Sequence, residues 1–187
     1  MELSSLLVGI LVVAWGLVVV SLPYTIYEVG RIAQFVAPTF ERGKVVLKFV
    51  EPFKRLRGGI IINETIMTNN GRFKFLSDGV CLFVKEVHLF QFRLNTLFAL
   101  KGKIEFAGEM AHVQARLPVG AFLCYMSWLV GCGAGGLVMV TRLKHPWVAI
   151  PITLVGMGFA AILYHMTVVL EKRRLFQVYE EIKQHLA

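Results

Sequence analysis

The stretch VGCGAGGLVMV, residues 130–140, decides how this chain folds. Gly131, Gly133 and Gly136 satisfy G-x-G-x-x-G, the pattern of a loop that cradles a dinucleotide pyrophosphate. Gly131 and Gly135 equally satisfy G-x-x-x-G, a contact face between helices in a membrane. A dinucleotide loop follows a strand, opens a helix and faces a water-filled crevice. These glycines lie instead inside AFLCYMSWLVGCGAGGLVMV, residues 121–140, which carries no charged side chain. Twenty residues at about 1.5 Å each give a helix of roughly 30 Å, the thickness of the hydrocarbon core. An open loop at that depth leaves backbone amides unsatisfied. The run therefore reads as a helix, with Ser127, Gly131 and Gly135 recurring every fourth residue as a stripe of small side chains.

Two further runs agree. Residues 6–22 (LLVGILVVAWGLVVVSL) carry no charge, and residues 147–170 lack Asp, Glu, Lys and Arg, with His165 their one ionisable group. None shows the polar face of a globular helix. Gly156 and Ala160 give the third run a small-residue stripe matching that of the second. The short connection 141–146 makes these two runs an antiparallel hairpin. Pro146 suits a first helical turn, and Trp147 suits interface depth. Composition points the same way: of 187 residues, 56% are hydrophobic and 17% charged, against about 45–50% and about 25% in soluble domains. Cys81, Cys124 and Cys132 are too few and scattered for a disulfide framework or zinc site. A net charge of +8 in so apolar a chain reports topology and anionic lipid rather than nucleic acid.

The n-region MELSS lacks Lys and Arg, and Leu22-Pro23-Tyr24 is a poor cleavage site, so the first run is expected to be an uncleaved anchor. Fourteen of the twenty Lys and Arg residues lie in 23–117, four in the C-terminal tail and two, Arg142 and Lys144, in the hairpin connection. This asymmetry places the N-terminus outside, and the middle segment and C-terminus in the cytoplasm. The sequon Asn63-Glu64-Thr65 is then a chance match.

The expected organisation is an anchor at 1–22, a juxtamembrane amphipathic helix at 23–37 and a β-rich cytoplasmic domain at 38–117. A transmembrane hairpin at 118–170 (121–140 and 147–170) and an amphipathic helix at 171–187 follow. Pro23 should end or kink the first helix. Ile26, Val29, Ile32, Ala33 and Val36 then share one face, with Glu28, Arg31 and Gln34 elsewhere, until Ala37-Pro38 stops the piece. From Lys44 the texture is that of strands: KVVLKFV, GGIIIN, RFKFL, VCLFVKEV, HLFQFRL, KGKIEFAG and MAHVQARL, with turn signals at Asn69-Asn70-Gly71, Ser77-Asp78-Gly79 and Gly108-Glu109. Period-2 alternation predicts an antiparallel sheet with one apolar face, in a small sandwich or barrel. In the tail, Leu175, Val178/Tyr179, Ile182 and Leu186 form an apolar stripe that either packs on the chain's own β domain or docks another subunit. The fold class is thus membrane α+β, three transmembrane helices with an antiparallel β-rich extramembrane domain between helices 1 and 2.

FALKGKIEF (98–106), a glycine turn, AHVQARLPVG (111–120) and AFLCYMSWLVG (121–131) resemble small uncharacterised bacterial integral-membrane proteins. In these a strand-rich module, sometimes pleckstrin-homology-like, adjoins a transmembrane helix pair. The resemblance covers about 71–170 and implies a bacterial inner membrane, but no catalytic residue and no substrate.

Catalytic and metal patterns are missing: H-E-x-x-H, C-x-x-C, a Walker loop and G-x-S-x-G do not occur, and no cofactor is expected. His165, inside an apolar run, is a candidate by position, although a neutral His near a helix end commonly snorkels or bonds a neighbouring helix. His88 and His112 read as strand surface positions. Lys54-Arg55-Leu56-Arg57, preceded by Phe53, interleaves basic with apolar side chains and could hold anionic headgroups while Phe53 and Leu56 enter the interface. An enzyme working on a membrane-embedded substrate is a third reading without nameable residues, and two functions compete ahead of it. One is a non-enzymatic accessory or scaffold subunit of a membrane complex, docking other subunits or copies of itself. The alternative is a lipid-headgroup-binding or lipid-handling protein using the β domain and residues 53–57.

Overall fold

A computed structural model describes residues 3–53, 62–85, 100–143 and 146–186. In chain order the elements are α1 (Leu3–Ala33), α2 (Ala37–Glu41), β1 (Lys44–Pro52), β2 (Thr65–Met67), β3 (Gly71–Ser77), β4 (Val80–Lys85), β5 (Lys101–Ala107), β6 (Met110–Leu117), α3 (Val119–Leu143) and α4 (Pro146–Leu186). Three of the helices are long and apolar enough to cross a membrane. The chain divides into two bodies, Met1–Ile26 with Gly120–Met166, and Tyr27–Val119 with Thr167–Ala187.

The first body is helical. Its α1 segment buries Ala14, Val18, Ser21 and Thr25, a 4-3-4 spacing that keeps one seam inward. The two hydroxyls on that seam cost little, because Ser21 Oγ donates to the Val18 carbonyl at 2.9 Å and Thr25 Oγ1 to that of Ser21 at 2.6 Å. Pro23 does not end the helix, contrary to expectation. It sits inside a continuous 31-residue α1, on the exposed side, so residues 23–33 of the separate helix expected at 23–37 belong to α1.

The expected apolar face of that segment matches the buried one only in part. Ile32 is buried as expected, but Ile26 is 74% exposed and Glu28, assigned elsewhere, is buried, because Glu28 and Ile32 stand four residues apart on one side of the helix. Helix α1 stops before Ala37-Pro38. The amides of Phe35 and Val36 turn back to the carbonyls of Ile32 (3.0 Å) and Arg31 (3.1 Å), which is the Schellman pattern. Phe35 takes the left-handed position, φ 54°, where glycine is usual. Its ring is buried and stacked on Phe40 at 6.0 Å, and that burial offsets the backbone cost. Pro38 then opens α2 rather than ending α1.

The second body is built on one six-stranded antiparallel sheet, in the order β1-β6-β5-β4-β3-β2, in place of the expected sandwich or barrel among the described residues. The turn signals at 69–71, 77–79 and 108–109 each join neighbouring strands. The strand ahead of Asn69 is Thr65–Met67, and Asn63, assigned from sequence to a strand, lies in a turn at φ 68°. The expected strand HLFQFRL and most of GGIIIN fall outside the described residues.

Pairing registers sort the side chains into two faces. On one, Phe73, Phe75, Cys81, Phe83, Ile104, Ala111, Val113 and Ala115 are buried. Gly102 lies opposite Phe83, whose ring fills the space a Cβ would take. The last third of α4 covers this face. On the other, Leu82 and Val84 pack with Ile32, Phe35 and Phe40 from the end of α1 and from α2. Both faces therefore carry core, where sequence alternation indicated one.

Candidate functional site

Within the helical body α3 has α1 on one side and α4 on the other, and its glycines set how closely each approaches. A Cβ on Gly131 would lie 3.4 Å from Trp15 Nε1 and 3.7 Å from Ala14 Cβ, and one on Gly135 would lie 3.5 Å from Leu11 Cδ1. The Ser127/Gly131/Gly135 stripe thus faces α1, not the Gly156/Ala160 stripe that matches it in sequence. A Cβ on Gly156 would lie 2.9 Å from Cys132 Sγ on α3, and Ala160 is buried. The tightest positions are two that periodicity missed. A Cβ on Gly136 would lie 2.8 Å from Thr153 Cβ and Cγ2. On Gly120 it would lie 2.9 Å from the Cα and N of Thr25, main chain against main chain. Gly120 escaped notice because it stands at the entry to the run, and Gly136 because it falls off the i+4 stripe. Trp15–Trp128 (6.2 Å), Trp128–Phe159 (6.3 Å) and Tyr125–Tyr164 (5.4 Å) fill the wider parts.

An open groove of about 590 Å³ remains between α1 and α3, its walls including Gly9, Val13, Leu17, Met126, Ser127 and Val130. A smaller one, about 300 Å³, lies between α3 and α4 beside Gly133, Gly136 and Thr153. Both are lined almost wholly by apolar atoms, which suits hydrocarbon and excludes acid–base chemistry there. His165, the ionisable candidate in the third run, is exposed on α4, so its imidazole points away from the helix packing.

The sheet body holds the chemistry the sequence did not flag. Lys101 Nζ meets Glu28 Oε1 at 2.6 Å, with side-chain exposures of 0% and 4%. Burial pushes the Lys101 ammonium down from its ordinary pKa while Glu28 pulls it back. Helical periodicity had put Glu28 on a polar face, and its partner is 73 residues away. On the opposite face, Glu51 accepts from Lys183 Nζ at 2.6 Å and from Tyr179 Oη at 3.2 Å. Lys183 holds the Glu51 carboxyl below its ordinary range. Tyr179 also packs edge-on against Phe49 at 5.4 Å, and His185 against Phe73 at 5.6 Å. Leu175, Val178, Tyr179, Ile182 and Leu186 are all buried. The tail stripe is therefore occupied by the chain's own sheet and is not free to dock another subunit.

Lys54, Arg55, Leu56 and Arg57 fall outside the described residues, as does His88. Phe53, expected to enter the interface with them, is buried, 5.1 Å from the Phe106 ring. Among the described residues no group of three or more His, Cys, Asp or Glu side chains could hold a metal ion. Comparison with protein-family models, curated proteins and solved structures finds no match for this chain.

Proposed function

We propose that this chain is a non-enzymatic accessory or scaffold subunit of a larger integral-membrane assembly. The observation that carries the proposal is how little of its apolar helices the chain covers by itself. In the most apolar 18-residue windows of α1, α3 and α4, only 17%, 33% and 11% of the residues are buried. Apolar surface on that scale requires lipid or protein against it. The α1–α3 groove supplies a place for protein. A Cβ on Gly9, in its wall, would meet nothing within 4 Å, so the backbone of a partner's transmembrane helix can approach closely there. The eighteen-to-two split of basic residues supports an orientation with the N-terminus outside and the sheet body in the cytoplasm.

Extraction in mild detergent followed by native mass measurement tests the proposal. The wild-type chain should leave the membrane with a partner, and Gly9→Leu, which fills the groove, should insert normally but emerge alone. A wild-type chain that emerges alone would sink the proposal.

A further inference from the structure

We infer that Asn70 is a site of covalent modification: spontaneous deamidation to aspartate and isoaspartate, restrained by Glu181 and, once complete, loosening the end of α4 from the sheet. The inference lies wholly within the sheet body and is independent of the proposed function.

Asn70 precedes Gly71 in the turn that joins β2 to β3, and no other asparagine of the chain precedes a glycine. The reaction is intramolecular. The Gly71 amide nitrogen loses its proton and bonds to Asn70 Cγ, the Cγ–Nδ2 bond breaks, and ammonia leaves behind a cyclic imide. Water opens the imide at either carbonyl. Attack at the side-chain carbonyl gives aspartate. Attack at the main-chain carbonyl gives isoaspartate, with an extra methylene in the main chain. Water is the only co-reactant, and amide plus water becomes carboxylic acid plus ammonia.

The surroundings permit the step. Asn70 is exposed, so water reaches it. A side chain on the following residue would crowd the attacking nitrogen, and glycine has none. The Gly71 N–H donates to the Thr68 hydroxyl at 3.1 Å, a side-chain partner that one rotation removes.

The surroundings also restrain it. Asn70 donates to Glu181 Oε2 through its main-chain nitrogen at 3.2 Å, and to Oε1 through Nδ2. Bonds to a carboxylate are the stronger kind. Loss of the Nδ2 amide breaks the second of them, so Glu181 stabilises the unreacted form.

The product reverses that contact. A carboxylate at position 70 has no donor to offer Glu181 and repels it. The iso form also lengthens the main chain beside Gly71, where space is short: a Cβ on Gly71 would lie 2.7 Å from Val178 Cγ2. Val178 and Glu181 stand on one turn of α4, beside Tyr179 and Ile182, which are buried on the sheet. Charge and added length therefore act on the same stretch of helix.

The test incubates the purified full-length chain at mildly alkaline pH, which favours loss of the Gly71 proton. Deamidation is read from the mass of the peptide carrying Asn70, and stability from thermal unfolding. Wild type should convert slowly and Glu181→Ala several-fold faster. Asn63, exposed but followed by Glu64, should stay intact as the internal control. Asn70→Asp should melt below wild type. Asn70→Asp/Glu181→Gln, in which donor and acceptor trade places, should recover most of the loss. An intact Asn70 in both wild type and Glu181→Ala overturns the inference. Equal conversion of the two does so as well, since Glu181 would then restrain nothing. An Asn70→Asp chain that melts with wild type refutes the loosening of α4. Should Glu181→Ala fail to fold, Glu181→Gln, which keeps the shape and loses the charge, decides by the same comparison.

Discussion

Substituting alanine for each glycine of α3 tests the helix packing with a single added methyl group. In a helix interior, Gly→Ala by itself stabilises by about 0.5–1 kcal/mol. At Gly133 a Cβ meets nothing within 4 Å, so the variant should be as stable as wild type or more so. At Gly131 the new contacts, 3.4–3.7 Å, are ordinary, and the outcome should be near neutral. At Gly136 the methyl would stand 2.8 Å from Cβ and Cγ2 of Thr153. That side chain is stiff, and its hydroxyl donates to the Ala149 carbonyl at 2.8 Å. Overpacking of this kind costs about 1–3 kcal/mol. At Gly120 the clash, 2.9 Å, is with the Cα and N of Thr25, which no side-chain rotation relieves. The full 1–3 kcal/mol or more is expected there, with little propensity gain so close to the helix start. For a chain of this length, 1 kcal/mol moves Tm by about 2–4 °C. Gly120→Ala should therefore melt roughly 2–12 °C below wild type while Gly133→Ala does not fall. The assay is thermal unfolding of the detergent-purified full chain, followed by circular dichroism. If Gly133→Ala is as damaging as Gly120→Ala, or Gly120→Ala is neutral, the close approach of α1 and α3 at Thr25 is refuted.

The Glu28–Lys101 pair should behave as a buried unit. Glu28→Gln or Lys101→Met alone leaves one uncompensated charge and should cost about 3–5 kcal/mol, whereas Glu28→Leu/Lys101→Met together should recover most of it. Additive losses in a thermal-unfolding double-mutant cycle would show the two groups to be independent. Glu51 supplies a pH dependence of definite sign. Its folded pKa lies below the ordinary 4.5, so its contribution is fully present above about pH 4.5 and is lost as pH falls through the depressed value. Because the side chain is 34% exposed, the effect should be modest. Lys183→Met should flatten the Tm-against-pH curve between pH 5 and pH 3, and an unchanged curve would remove Glu51 from the acid response.

Sequence alone was decisive wherever a property belongs to a local run. The absence of charge across 6–22, 121–140 and 147–170 is enough to specify long apolar helices, because no other backbone form satisfies its own hydrogen bonds so completely. Asn69-Asn70-Gly71 and Gly108-Glu109 announced hairpins because turn geometry is a local backbone requirement. The tail stripe Leu175, Val178/Tyr179, Ile182 and Leu186 was legible for the same reason, although two occupants remained open until the sheet was seen beneath it. What only tertiary structure decided concerns partners distant in the chain. Pro23 is tolerated in α1, and the inward seam passes through Glu28 rather than Ile26. The choice of seam depends on Lys101, 73 residues away, which one-dimensional periodicity cannot weigh. The glycines closest to another helix, Gly120 and Gly136, are likewise fixed by Thr25 and Thr153 across the interface. Glu51 and Lys183 look like unrelated surface charges until the fold sets the last third of α4 against β1. A period reports which side chains of one element share a face, whereas ion pairs, close approaches and charge clusters depend on what the fold places opposite that face.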